Sequence, residues 1–164
     1  MRIQTALTRM VGIEHPVVQT GMGWVAGARL VSATANAGGL GILAAATMTI
    51  DELATAISKV KAATDRPFGV NIRADAADAG DRVDLMIREG VKVASFALAP
   101  KPELIARLKD AGSVVVPSIG AAKHAKKVAA WGADAVIVQG GEGGGHTGPV
   151  HTTLLLPSVL DALS

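Results

Sequence analysis

The sequence predicts a parallel α/β fold, and three observations carry that prediction. Short runs rich in Val, Ile and Leu alternate with amphipathic stretches along the whole chain. The apolar runs are nearly continuous, as expected of strands covered on both faces of a sheet. The β-then-α unit recurs six times in 164 residues, which implies parallel strands joined by right-handed crossovers. Two architectures share this pattern, an open doubly wound sheet and a (β/α)8 barrel.

The elements follow in order. HPVVQTG (15–21) reads as the first strand, ending in glycine, and GARLVSATANAGG (27–39) as a helix stopped by a Gly-Gly pair. LGILAAA (40–46) is the second strand. The helix over 49–64 opens on Thr49, with Glu52 three residues later, a capping box. Its apolar residues Ile50, Leu53, Ala54, Ile57 and Val60 recur at helical spacing. PFGVNI (67–72) and the helix over 78–89 form the third unit, and VKVASFAL (91–98) and KPELIARLKDAG (101–112) the fourth. Pro102 suits the first helical turn. SVVVPSI (113–119) and AAKHAKKVAAWG (121–132) form the fifth unit. ADAVIVQ (133–139) is the sixth strand, and TTLLLPSVLDALS (152–164) begins a sixth helix after a glycine-rich loop.

Composition excludes several functions. Hydrophobic residues are 49% of the chain, so a packed domain is expected rather than disorder. Aromatics are only 2%, too few for base-stacking nucleic-acid recognition. Net charge is +2, and the one basic cluster, Lys123 to Lys127, reads as a solvated helix face. With no cysteine, disulfides, thiol catalysis and zinc–thiolate sites are excluded. No apolar run reaches the roughly 18 residues of a membrane span, and no signal peptide is recognisable. A cytoplasmic location is the default expectation.

Ligands of parallel α/β folds sit at the carboxyl ends of the strands. Those ends carry Gln19-Thr20-Gly21-Met22-Gly23, Asn71-Ile72-Arg73, Ser118, and Gln139 followed by GGEGGGHTG. Amides, glycines and one histidine converge there, with Glu142 the main carboxylate. This set suits a hydrogen-bond-rich neutral or anionic ligand better than a metal. GMGWVA (21–26) fits the dinucleotide fingerprint, but the second strand ends Leu43-Ala44-Ala45-Ala46, without the acid a ribose requires. The glycines serve a tight turn, a dinucleotide, or a flat cofactor lying against bare backbone. Of the four histidines, His15 precedes a strand, His124 lies in the lysine-rich helix and His151 lies past the loop. His146 directly follows the glycines and is the candidate catalytic residue. Neither a P-loop nor a nucleophile elbow is present.

HPVVQTGMGWVAG, PFGVNI and VIVQGGEGGGHTG, in this order, resemble the nitronate monooxygenase (2-nitropropane dioxygenase-like) family. That family's glycine-loop pattern is Q-G-x-E-A-G-G-H-x-G, from which this chain departs at Gly143. The resemblance implies an FMN-dependent TIM barrel, close to flavin-dependent enoyl-thioester reductases and to actinobacterial flavin oxidoreductases acting on CoA thioesters in steroid-ring breakdown. It implies that Gln19, Gly21 and Met22 lie against the isoalloxazine ring. Asn71 and Gln139 contact the flavin, Gly144 and Gly145 flank it, and His146 is the general base. The implied reaction is oxidation of nitronates or nitroalkanes with oxygen. The alternatives are NAD(P)H-dependent reduction of enoyl, CoA or acyl-carrier thioesters, and a non-enzymatic fragment. The family holds the FMN phosphate with loops after strands seven and eight. Residues 1–164 are therefore expected to be the N-terminal portion of one FMN-binding barrel domain, incomplete after six βα units. Open edges and an apolar seam are expected too, which association into a homo-oligomer would cover. The expected partner is a small-molecule substrate, with no nucleic acid and no membrane.

Overall fold

The structure, a computed structural model, describes residues 3–145 and 147–164. Among these residues six parallel strands form one sheet in the order β1-β2-β3-β4-β5-β6. They are β1 (Val18–Gln19), β2 (Leu40–Ala44), β3 (Phe68–Arg73), β4 (Val93–Ala97), β5 (Val114–Ile119) and β6 (Ile137–Val138). The helices are α1 (Ala6–Val11), α2 (Ala28–Asn36), α3 (Ile50–Ala63), α4 (Ala79–Arg88), α5 (Pro102–Asp110), α6 (Ala122–Ala130) and α7 (Thr152–Leu163). Strand order equals chain order, so the sheet has no reversal point. That removes the doubly wound alternative, whose strand order turns back on itself, and leaves the barrel type with six of its units.

The register fixes what meets at the strand ends. Gln19 pairs with Gly41, Ala44 with Asn71, and Asn71 with Ser95. The β2 residues divide by parity, as strand geometry requires. Leu43 joins the large core beneath α2 to α5, with Val31, Leu53, Ile57, Val60, Val83, Met86, Ile105 and Leu108. Leu40 and Ile42 face the other way, packing with Val93, Val114 and the α1 residue Val11. A third cluster joins Ile119, Ala125, Val128, Leu155 and Val159 across β5, α6 and α7.

Helix α1 is absent from the sequence reading. It is six residues long, and its capping box pairs Thr5 with Thr8 rather than with Glu or Gln. In α3 the predicted box is present, with Glu52 Oε2 accepting from Thr49 N at 2.7 Å. Ile50 lies on the exposed side of α3, so the buried stripe begins at Leu53. β6 is shorter than the predicted 133–139. Asp134 exchanges two bonds with β5, its N–H donating to Val115 O at 3.0 Å and its carboxylate accepting from Val115 N at 2.8 Å. That side chain takes the place of a ladder carbonyl, and regular pairing starts only at Ile137. Exposed apolar side chains lie at the β1 edge, Val17 and Val18, and on helix α7, Leu154, Leu156, Leu160 and Leu163.

Candidate functional site

The β1–α2 loop leaves β1 by crossing over β3. A Cβ placed on Gly21 would fall 2.7 Å from Asn71 Cβ, so only glycine fits there. Asn71 is aligned by the buried Ser95, whose Oγ accepts from Asn71 Nδ2 at 3.0 Å. Gln19 folds back onto β2, its Nε2 donating to Ile42 O at 3.2 Å and also to Thr20 O. Its Oε1 is buried and accepts no hydrogen bond. A buried acceptor without a donor is costly, at about 1–3 kcal/mol, so this atom asks for an N–H from a ligand. Met22 is partly exposed, and its carbonyl accepts from Ala26 N at 2.8 Å. The turn thereby presents bare backbone between Gly21 and Gly23.

The loop continues through Trp24, which has φ +59° and is 93% exposed. A groove of about 510 Å³ opens beside it, toward Thr47, Met48, Thr55 and Lys59 of the β2–α3 turn and α3. Helix α2 begins only at Ala28, capped by the backbone of Gly27.

The second part of the site is the loop after β6. Gln139 N donates to Ile119 O at 3.0 Å, and its side-chain Nε2 donates to Gly144 O at 3.1 Å. The loop is closed at its base by Gly141 N donating to Val150 O at 2.8 Å. Glu142 fastens it to α7. Its Oε2 accepts from Thr152 N and Thr152 Oγ1, both at 2.8 Å, and its Oε1 lies 3.1 Å from His151 Nδ1. The Thr152 N–H is the first of the orphan donors at the start of α7, and a carboxylate is favoured there by the helix dipole. These bonds, the Thr152 N–H first, hold the Glu142 carboxyl down from 4.5 to about 2.

The five glycines therefore have different reasons. A Cβ on Gly140 would lie 2.2 Å from Thr152 Oγ1 and 2.4 Å from Thr152 N, so α7 starts directly on that backbone. Gly145 has φ +79°, a conformation that other residues adopt only with strain. Gly144 is exposed and has open space around it.

Of the predicted residues, the structure brings Gly21 and Asn71 into contact, with Met22 on the same loop as Gly21 and Gln19 at the end of β1. It ties Gln139 to Gly144 in a second group, with Gly145 next in the chain. His146 lies outside the described residues. His124 is exposed on the lysine-bearing face of α6, as expected of a solvated helix face. Ser95, Thr47 and Thr152 support the site and were not singled out from sequence. Of these only Ser95, inside an apolar strand run, offered a sequence signal. No group of His, Asp or Glu suited to a metal occurs among the described residues, and none of their helices is long and apolar enough to cross a membrane.

A profile of the nitronate monooxygenase family matches residues 4–164. A Mycobacterium tuberculosis protein, named a 5-hydroxy-7a-methyl-1-oxo-octahydro-1H-indene-4-carboxyl-CoA dehydrogenase, is 85% identical over 100% of this chain and 46% of its own length. FabK from Thermotoga maritima superposes with a TM-score of 0.95 at 39% identity, over 99% of this chain and 52% of that one. A nitroalkane oxidase from Streptomyces ansochromogenes superposes with a TM-score of 0.84 at 30% identity, over 96% and 58%. The chain spans about half the length of the curated relatives it matches. The curated relatives are named as dehydrogenases and monooxygenases. With a profile match across nearly all its residues, the chain belongs to the nitronate monooxygenase family.

Proposed function

We propose that the protein is part of an FMN-dependent oxidoreductase acting on a CoA thioester, with NAD(P)H as the electron donor. The observation that carries the CoA-thioester part of this reading is the 85% identity, across the whole chain, to a relative named as a carboxyl-CoA dehydrogenase, while the NAD(P)H donor rests on the resemblance to flavin-dependent thioester reductases. The residues present fit a flavin. Gln19 Oε1 is a buried acceptor without a donor, which matches the N–H on a flavin's ring edge. A Cβ on Gly21 would strike Asn71, so the loop backbone lies directly on β3 beside the Asn71 amide. When bound, the flavin supplies the hydride chemistry.

The chain's own residues then bind and orient. Gln19 and Asn71 would direct amide groups at the ring edge, and Met22 would cover one face. Gln139 holds the carbonyl of Gly144, so the glycine loop is set before ligand arrives. Glu142 anchors that loop four residues before His146, the proposed base. An imidazole titrates near neutral pH and is suited to moving a proton at the substrate carbon.

The second reading is oxidation of nitronates or nitroalkanes with oxygen. It is favoured by the family profile and by the likeness to the nitroalkane oxidase. The two separate in one assay series on the FMN-loaded protein. Thioester-dependent NAD(P)H oxidation supports the first reading, and nitronate-driven oxygen uptake without thioester turnover supports the second. In either case His146→Ala should lower turnover by about 10²–10⁴ with flavin retained. On nitro substrates the loss should be smaller for preformed nitronates, which have no proton to give up. Unchanged turnover in His146→Ala would remove the base assignment.

A further inference from the structure

Arg82 is the only buried charged residue among the described residues, at 7% exposure. Burying a guanidinium is costly unless every donor finds a partner. Here its partners are specific. Nε donates to Asp78 Oδ2 at 2.9 Å, Nη1 to Ala45 O at 2.7 Å, and Nη2 to Met48 O at 2.8 Å. Ala45 and Met48 bracket the short 3₁₀ turn (Ala45–Thr47) that follows β2. An arginine from α4 thus clamps the carbonyls at both ends of a turn at the carboxyl end of the neighbouring strand.

That turn carries Thr47, which touches the β1–α2 loop. Thr47 Oγ1 accepts from Trp24 N at 3.4 Å, and its methyl lies 3.0 Å from where a Cβ on Gly23 would stand. A second tie runs from Ala44 N to Ala26 O at 3.1 Å. The loop has little anchorage of its own between Met22 and Val25, all three large side chains there being exposed. Trp24 is also in a left-handed conformation. Such strain persists only where surrounding structure holds it.

We infer that Arg82 is a positioning residue: through the 3₁₀ turn and Thr47 it holds the Gly21–Gly27 backbone in the shape offered to the cofactor. The inference rests on the flavin reading for its functional meaning, while the bracing itself is measurable without flavin. Lysine keeps the charge of Arg82 but lacks the planar fork that reaches two carbonyls and a carboxylate together. Thr47→Val keeps the shape and removes the acceptor.

The experiment is amide hydrogen exchange on the native chain, Arg82→Lys, Thr47→Val and the double variant, followed by FMN titration of all four. In Arg82→Lys, the amides of Trp24 to Gly27 should exchange about tenfold faster relative to those of β3 and β4 in the same protein. Thr47→Val should affect the same amides. The double variant should exceed the worse single by little, because the two act in series. The FMN dissociation constant should rise about tenfold in Arg82→Lys, with the same non-additivity. A uniform change across the sheet, a change confined to α4, or additive effects in the double variant would overturn the inference. If Arg82→Lys does not fold, Asp78→Asn loosens the same guanidinium and takes its place. A native chain that binds no FMN would defeat the functional reading, with exchange still deciding the bracing.

Discussion

Gly21→Ala tests the first half of the site most sharply. The added methyl would stand 2.7 Å from Asn71 Cβ and 3.2 Å from Asn71 Cγ. Carbon atoms in contact prefer about 3.5–4.0 Å, so something must move by about 1 Å. The glycine is not in a left-handed conformation, so the effect is steric rather than backbone strain. Either Asn71 shifts and its 3.0 Å bond to Ser95 opens, or the β1–α2 loop lifts off β3. Overpacking of this kind costs about 1–3 kcal/mol. For a chain of this size that is a fall in melting temperature of about 2–12 °C. If the displaced loop is the flavin surface, FMN affinity falls by about 5–150-fold for the same energy. The assay is thermal unfolding of the free protein, then FMN titration. The contact is with Cβ, so Asn71→Ala leaves it in place and only Asn71→Gly removes it. In the Asn71→Gly background the stability cost of Gly21→Ala should shrink. An unchanged melting temperature and FMN affinity in Gly21→Ala, or an equal cost in both backgrounds, would refute the reasoning.

Three further outcomes are expected. Gly140→Ala should displace the start of α7 and lower the melting temperature, because the new methyl would meet Thr152 backbone and side chain. Gly144→Ala, with open space around it, should change stability by less than about 0.5 kcal/mol in the same unfolding experiment. The loop anchor should also be pH-sensitive. Glu142 is held down from 4.5 to about 2, so its contribution is complete above about 4.5 and is lost as pH falls through about 2. Loop amides near Glu142 should lose exchange protection across that window in the native chain and show no such dependence in Glu142→Gln.

The alternation of strands and helices was legible because the strands are continuous apolar runs and the helices announce their starts, while the barrel rather than a doubly wound sheet was implied only by the family resemblance. Thr49 with Glu52 and Pro102 are local signals, and the structure uses both where the pattern put them. What escaped has a physical reason in each case. Helix α1 is too short for periodicity, and its Thr5–Thr8 cap lacks the acidic residue that makes such boxes visible. The sixth strand is trimmed by Asp134, whose carboxylate imitates a backbone acceptor only once β5 is beside it. Gly21 and Asn71 both stand at the carboxyl ends of parallel strands, which the sequence shows, but their contact across the intervening β2 exists only in the folded chain. Arg82 and Thr47 were not findable in that way. The arginine reaches a turn 37 positions earlier in the chain, a pairing that exists only once α4 lies beside the turn after β2. Likewise Glu142 was recognised as an isolated carboxylate, but its role as cap of α7 needed the loop to close back by ten residues.

A flavin site at the carboxyl ends of these strands is what the proposed function requires. The most direct measurement is an absorbance spectrum of the purified chain after FMN addition and gel filtration. Flavin absorbance eluting with the protein, and depleted in Gly21→Ala, is the predicted result. Protein eluting without flavin, and showing no saturable change on titration, would contradict it.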